Sequence, residues 1–471
     1  MTGDPAAAKT ITLRSTLANI PRFIYNLYLH PLPKFPGPAC LAFSDIPLSF
    51  LQLEGTSQYR LRTAHEKYGS VVRIAPRTLS FISPSTWKDI YGFRNGRAAL
   101  PKDPKFYNDM LLPDITPTRA NDDEAVPIRR AMNSAFSPKS LLGQESMIVG
   151  HIHRLLGQLR KETYHDYLNK ISNNKAVDFR KWIIFSMFDI NSDFGFGEDM
   201  GCVAEGRFHE WVRFVVEFFY AATLIYQCYK FVPLNELLTL FIPRMAKQTD
   251  RPDFMHHFVA SAEKEGLSLP VIEAQASILI LAGSETTAVA LTGAVYYVLS
   301  HPAIHERLNK DIRETFKTAE DIELKTALKK LPYLDAVVQE TLRTHAPLPN
   351  GFTRLVTDKG GAMTVISINN YCCNTATENY TDPFVFAPER WFGDKKYASD
   401  NRNAVQPFLV GPRNCPGKMF ALSNMKLLLT HLIWNFDMEL DKSTKDWHVG
   451  EKVYNSWIQP DFPVYLSGRV K

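Results

Sequence analysis

Between Val271 and Ser300 the chain reads VIEAQASILILAGSETTAVALTGAVYYVLS, an apolar stretch long enough to approach a bilayer span, with Glu285 in its middle. A stretch like this either crosses a membrane or runs through the middle of a large protein core. An acid at the centre of a spanning helix costs about 2.5–3.5 kcal/mol or more. A single mid-chain span would also place the two halves of the protein in different compartments. The expectation is therefore a buried central helix, which needs apolar protein on all sides. At 471 residues, 45% hydrophobic and 22% charged, the chain can supply it.

Helical periodicity dominates elsewhere, and short strand-like pieces occur only at SVVRIAP (Ser70 to Pro76), TLSFIS (Thr78 to Ser83) and MTVISI (Met363 to Ile368). This predicts a mainly α fold with a small β portion. Repeats and Gly/Ser linkers are not seen, so the expected organisation is an N-terminal segment with a proline hinge over 1–38 and a single domain over 39–471. A net charge of +5 is too small to suggest a nucleic-acid partner and permits only a local basic face. Six scattered cysteines without a signal peptide argue against a disulfide framework, and Cys372-Cys373 reads as packing.

No run of about 18 apolar residues opens the chain, so no N-terminal anchor is expected. RFIYNLYLHPLPKFPGP instead mixes aromatics with Arg22 and Lys34. It reads either as a surface segment packed on the domain or as one lying at a membrane interface. The aromatic-rich stretch from Phe208 to Pro243 reads mainly as core, with a share left to line an apolar cavity or touch a membrane.

Three constellations carry chemistry. Within AGSETT, Gly283 costs about 1 kcal/mol against alanine in a helix interior, which calls for a reason. A flat ligand against the backbone is one; close helix packing, with Glu285 meeting an arginine, is the other. Thr286 can bond back to the preceding turn. In LPYLDAVVQETLRTHAPLP, Glu340 and Arg343 share one helix face, and Arg390 in FAPERWFG is a candidate third member of a structural triad locking this helix to the loop of Cys415. In FLVGPRNCPGKMFA, Cys415 stands alone. Zinc would want three or four clustered ligands and a nucleophilic thiol a histidine, whereas haem iron needs one axial thiolate. Gly411 and Gly417 would let the backbone turn sharply and approach a macrocycle, and Arg413 would offer a cation to a propionate. The helix that follows would set its N-terminal end near the sulfur.

These residues resemble the cytochrome P-450 superfamily. FLVGPRNCPG fits its haem-binding signature F-x-x-G-x-R-x-C-x-G, AGSETT its oxygen-activation motif, and ETLR and PERW its E-x-x-R and P-E-R-x motifs, in order along nearly the whole chain. The resemblance implies haem b between the long central helix and the Cys-loop helix, with Cys415 as the axial iron ligand and Phe408 opening the signature. It implies that Glu285 and Thr286 deliver protons during oxygen activation, and that Arg129 in RRAMNSAFS, Arg413 and Arg354 in GFTRLV meet haem propionates. Glu340, Arg343 and Arg390 would form the structural triad. The implied reaction is monooxygenation: one oxygen of O2 enters an apolar small-molecule substrate, with electrons from NADPH through a reductase docked on Arg130, Arg413, Lys418 and Lys426. The style of YNLYLHPLPKFPGP resembles fungal members acting on polyketides, terpenoids or alkaloids. Implied pocket segments are Tyr107 to Thr118, Phe208 to Pro243, the central helix and Leu348 to Phe352. The implied location is the cytosolic face of the endoplasmic reticulum membrane, with cytoplasm the alternative for a chain without an anchor.

Two departures stand out. Ala125 occupies the place, four before Arg129, where the family usually has Trp or His, implying one lost propionate bond. KGGAMTVISINNYCCN, around Gly361, is about ten residues shorter than the family's usual hairpin, which implies disturbed local β structure and, with it, poorer haem retention. Two alternatives therefore stand beside the monooxygenase: a haem-thiolate isomerase or peroxygenase needing no reductase, and a haem-poor protein without catalysis.

Overall fold

The computed structural model describes residues 21–94, 98–108, 116, 120, 122–166, 171–172, 175–209, 220, 222–224, 226–227, 266 and 268–357, then 363–469. The apolar run forms a helix over Leu269–Ser300. Its principal neighbours are the helices Phe179–Phe196, Pro332–Thr344 and Lys418–Asn435. The part from Ser277 to Ser300 is long and apolar enough to cross a membrane, but 83% of its most apolar window is buried inside the protein. Protein side chains take the place of lipid, as the sequence led us to expect. Phe185, Phe188, Leu291, Val337 and Leu428 belong to the same apolar core.

The strand-like pieces also form where expected. Val71–Ala75, Thr78–Phe81, Met363–Ile368 and Arg354–Thr357 lie side by side in that order. Thr78–Phe81 runs parallel to Met363–Ile368, whereas Arg354–Thr357 pairs antiparallel with it, from Arg354 opposite Ile366 to Thr357 opposite Met363. The short hairpin therefore does not disturb the ladder, contrary to expectation. Its pairing is fixed by a strand held on both sides, with Ile366 and Ile368 buried, and residues 358–362 at its tip lie outside the described residues. A C-terminal sheet of Val177–Asp178, Pro463–Gly468 and Phe436–Leu440 was not anticipated.

The proline hinge is docked rather than loose. Pro36 O accepts from Arg73 N at 2.8 Å, and a Cβ on Gly37 would lie 2.3 Å from Arg73 O, so only glycine fits between the hinge and the first strand. Before it, Ile24, Tyr25, Tyr28 and Leu29 are exposed beside exposed Arg22 and Lys34. Cys372 and Cys373 are buried, and the Cys373 thiol donates to Ile82 O at 3.1 Å, which makes them packing residues. Cys228 and most of Phe208 to Pro243 and of Tyr107 to Thr118 lie outside the described residues.

Candidate active site

The Cys415 loop is built from tight local bonds. Cys415 N donates to Phe408 O at 2.8 Å and Asn414 N to Gly411 O at 3.2 Å. Gly411 takes φ +79°, and a Cβ there would lie 2.0 Å from Tyr91 O, so both conformation and close approach require glycine. Gly417 differs from expectation. Its φ of −80° and ψ of 9° suit any residue, and a Cβ would meet only the Phe136 ring and Cys415 Sγ at 3.8–3.9 Å. The turn itself does not need that glycine.

Phe408 is half-buried and packs on the main core, with Lys418 Nζ 5.8 Å from its ring centroid. The helix Lys418–Asn435 starts three residues after Cys415. Protein packed around the sulfur pushes the Cys415 thiol up in pKa on balance, and the backbone N–H groups of Gly417 and Lys418 with the charges of Arg129 and Lys418 offset part of that rise. The loop thus surrounds one sulfur with groups that favour its anion.

Cations gather beside it. Arg129, on the helix Asp122–Ala135, donates to both the carbonyl and the side-chain oxygen of Asn414. Arg413 Nη2 donates to Ala120 O at 3.2 Å, and Lys102 Nζ reaches the same oxygen at 3.1 Å. Arg354 is buried, donates to Tyr107 OH at 2.6 Å and shares a β-bridge with Lys102. Ala125 is buried one turn before Arg129. Lys102 was missed in the sequence, and Tyr107 was read only as the start of a pocket segment, because KDPKFY carries no sign of which carbonyl or arginine it meets. Among the described residues no three His, Cys, Asp or Glu side chains cluster to hold a bare metal ion. A lone thiol with the charges of Arg129 and Lys418 acting on it and Arg413 on its own loop instead fits a metal already held in a macrocycle bearing carboxylates.

On the central helix, a Cβ at Gly283 would lie 2.3 Å from Asn191 Oδ1. The glycine lets the Asn191 side chain of the helix Phe179–Phe196 pack closely there, which accounts for it without a ligand. Glu285 is 3% exposed, and its Oε2 is buried without a hydrogen-bond partner. Burial raises its pKa to about 7, and the Arg180 charge opposes the rise. Thr286, half-buried, donates to Ala282 O at 2.6 Å. The two adjacent residues therefore differ: one holds a titratable proton, the other a hydroxyl parked on its own helix.

Glu340, Arg343 and Arg390 come together, all 0% exposed at their side chains. Arg343 grips both Glu340 oxygens at 2.7 and 2.9 Å, Arg390 Nε donates to Oε1 at 3.2 Å, and Trp391 Nε1 to Oε2 at 2.8 Å. Asp400, absent from the sequence reading, pairs with Arg390 and makes the triad a tetrad. The arginines' remaining bonds go to the carbonyls of Asn374, Thr381, Asp382, Pro383 and Val385. The network thus clamps the segment from Asn374 to Asp400 onto the helix Pro332–Thr344. The Cys415 loop is held separately, through Tyr91, Ala120 and Arg129.

A cleft of about 870 Å³ opens between the N-terminal segment, the four-stranded sheet and the residues Ala222, Thr223, Tyr226 and Gln227, with Phe106, Asn350 and Gly351 on its walls. Of the expected docking cations, Arg130 and Lys418 are exposed and Arg413 half-buried. Lys426 is buried and paired with Asp335, which removes it from any docking face.

A family model described as Cytochrome P-450 matches residues 45–462. The chain is 40% identical to Cytochrome P-450 monooxygenase astD of Aspergillus oryzae, over 94% of this chain and 91% of that protein. It is 34% identical to monooxygenase atr2 of Stereocaulon alpinum (98% and 95%) and 32% identical to Trichothecene C-15 hydroxylase of Fusarium sporotrichioides (95% of each). With the lone-thiol loop, the acid–threonine pair and the buried glutamate–arginine network in place, the chain belongs to the cytochrome P-450 family and is a monooxygenase.

Proposed function

We propose that the protein inserts one oxygen atom into a moderately large apolar substrate, a fungal polyketide, terpenoid or alkaloid, using electrons from NADPH relayed by a reductase. The observation that carries this reading is the Cys415 thiol on its glycine-pinned loop, with the charges of Arg129 and Lys418 beside it. Cys415 would hold the haem iron, Arg129, Arg354 and Arg413 would meet its carboxylates, and Phe408 and Gly411 would shape the loop around it. When bound, haem b supplies the oxidation itself, with one atom of dioxygen entering the substrate and the other leaving as water.

The protein's own part is binding, orientation and proton supply. Glu285 exchanges a proton near neutral pH because burial brings its pKa to about 7, which suits a group that must both accept and release one. The Thr286 hydroxyl, one residue further along the same helix and bonded to Ala282 O, would pass that proton on. The cleft beside Phe106 and Asn350, whose walls hold neither Cys415 nor Glu285 nor Thr286, would serve as an entrance for the substrate rather than as the place of reaction. Exposed Arg130 and Lys418 would meet an acidic reductase. Exposed Ile24, Tyr25, Tyr28 and Leu29 beside Arg22 and Lys34 support peripheral contact with the cytosolic face of the endoplasmic reticulum membrane.

The test is the absorption of reduced, carbon-monoxide-treated protein. The natural chain should show a thiolate-type Soret band, and Cys415→Ala should lose it. Thr286→Ala should keep the band while yielding several-fold less product per NADPH consumed. Normal coupling in that variant would remove the proton role from Thr286.

A further inference from the structure

A second cavity, of about 260 Å³, has none of Cys415, Glu285 or Thr286 on its walls. Tyr59, Tyr297, Tyr371, Phe384 and Trp457 line it, with Glu451 among them. The ring centroids of Tyr59, Tyr371 and Trp457 are 5.6–6.4 Å apart, and the rings stand at 52–87° to one another, as angled walls rather than a stack. Trp457 is fixed by its Nε1, which donates to Ala346 O at 2.8 Å, and by the His345 ring stacked on it. Aromatic faces attract cations. Glu451 adds a full charge. It is 5% exposed, and among the described residues its carboxylate is met by His345 Nε2 alone, at 3.1 and 3.3 Å. Glu340, by contrast, is met by two arginines, a tryptophan and a backbone N–H. Burial first, and the Glu451 charge after it, raise the Tyr59 hydroxyl to about 12 and push Tyr297 up as well. Both rings feel the anion and stay neutral. Burial pushes His448, also on the wall, toward its neutral form, and the Glu451 charge opposes this. Among the described residues no lysine or arginine lines the cavity. Arg62 lies outside it, over the Phe384 ring at 4.8 Å, and is paired with Glu66.

We propose that this cavity binds a small organic ammonium group, of the quaternary type that choline carries. Glu451 supplies the opposite charge, and Tyr59, Tyr371 and Trp457 supply the aromatic walls that a methylated cation prefers to open water. Phe384, 61% exposed, closes the outer side. A space of about 260 Å³ suits such a head group and is small for the substrate proposed above. The site does not depend on the haem reading, since no residue of the Cys415 loop takes part in it.

The experiment is calorimetric titration of the purified full chain with choline and with 3,3-dimethyl-1-butanol, which has the same shape without the charge. Choline should bind saturably, one per chain, and at least tenfold more tightly than the alcohol. Glu451→Gln should weaken choline at least tenfold and leave the alcohol within about twofold of its natural affinity. Should that variant fail to accumulate, Phe384→Ala, which alters an exposed ring, should weaken choline at least threefold. Equal affinity for the two ligands, undiminished choline binding in both variants, or no saturable choline binding at all overturns the proposal. Sedimentation with phosphatidylcholine vesicles separates two sources of the same chemistry. Vesicle binding lost in Glu451→Gln assigns the ammonium to a lipid head group, and vesicle binding unchanged by it, with choline weakened, assigns it to a free small molecule.

Discussion

Glu340 and Glu285 are both buried glutamates on core helices, and both sit near arginines, yet they are opposites. Glu340 spends both oxygens on Arg343, Arg390, Trp391 and the backbone N–H of Ala387. Glu285 leaves Oε2 without a partner and feels Arg180 only as a charge. Complete hydrogen bonding makes the first a clasp that fastens two segments together. Incomplete bonding leaves the second able to gain and lose a proton in the neutral range. The difference teaches that burial alone does not decide whether an acid is structural or chemical; the number of donors around it does.

Breaking that contrast should hurt most at Glu340. Glu340→Ala strands two buried guanidinium groups and should cost about 3–5 kcal/mol, read as a loss of soluble protein or a lowered urea midpoint. At Glu285 the effect should depend on pH. The folded carboxyl keeps its proton up to about pH 7, whereas the unfolded chain releases it near the ordinary value of 4.5. Between these values the folded state binds more protons, so this group's stabilising contribution, full below pH 4.5, is lost as pH rises through 7. Glu285→Gln should flatten that slope and gain about 3 kcal/mol on the natural chain between pH 4.5 and 8, measured by urea unfolding across pH.

Asp400→Asn keeps the shape of the tetrad but removes one charge, and should cost about 1–3 kcal/mol by the same measurement, less than Glu340→Ala. The smallest effect is expected at Thr286→Ala, within about 0.5 kcal/mol of natural stability, because only a hydroxyl bonded to its own helix is lost. If Thr286→Ala instead destabilised as much as Asp400→Asn, the division between fastening and proton-handling residues would not hold.

The sequence made the central helix legible through its apolar length, and three strands through their alternation. It made Glu340 and Arg343 legible as a pair because three residues along a helix place them on one face. Asp400 was out of reach, since nothing local says that an aspartate after a loop returns to Arg390. The same holds for Lys102, whose meaning comes from a carbonyl eighteen residues away and an arginine far along the chain. Gly283 was ambiguous for another reason: a glycine records that space is tight but not what fills it, and here Asn191 does. Gly417 shows the converse, a glycine for which backbone and protein neighbours give no demand.

The parallel pairing of Thr78–Phe81 with Met363–Ile368 has a consequence for birth of the protein rather than its chemistry. The early strand leaves the ribosome long before its partner exists; at about 5–20 residues per second the wait is tens of seconds. Throughout that time its backbone offers a raw edge to any other nascent chain. Yield in a foreign host should therefore track chaperone supply and translation speed more closely than it tracks the stability of the finished molecule.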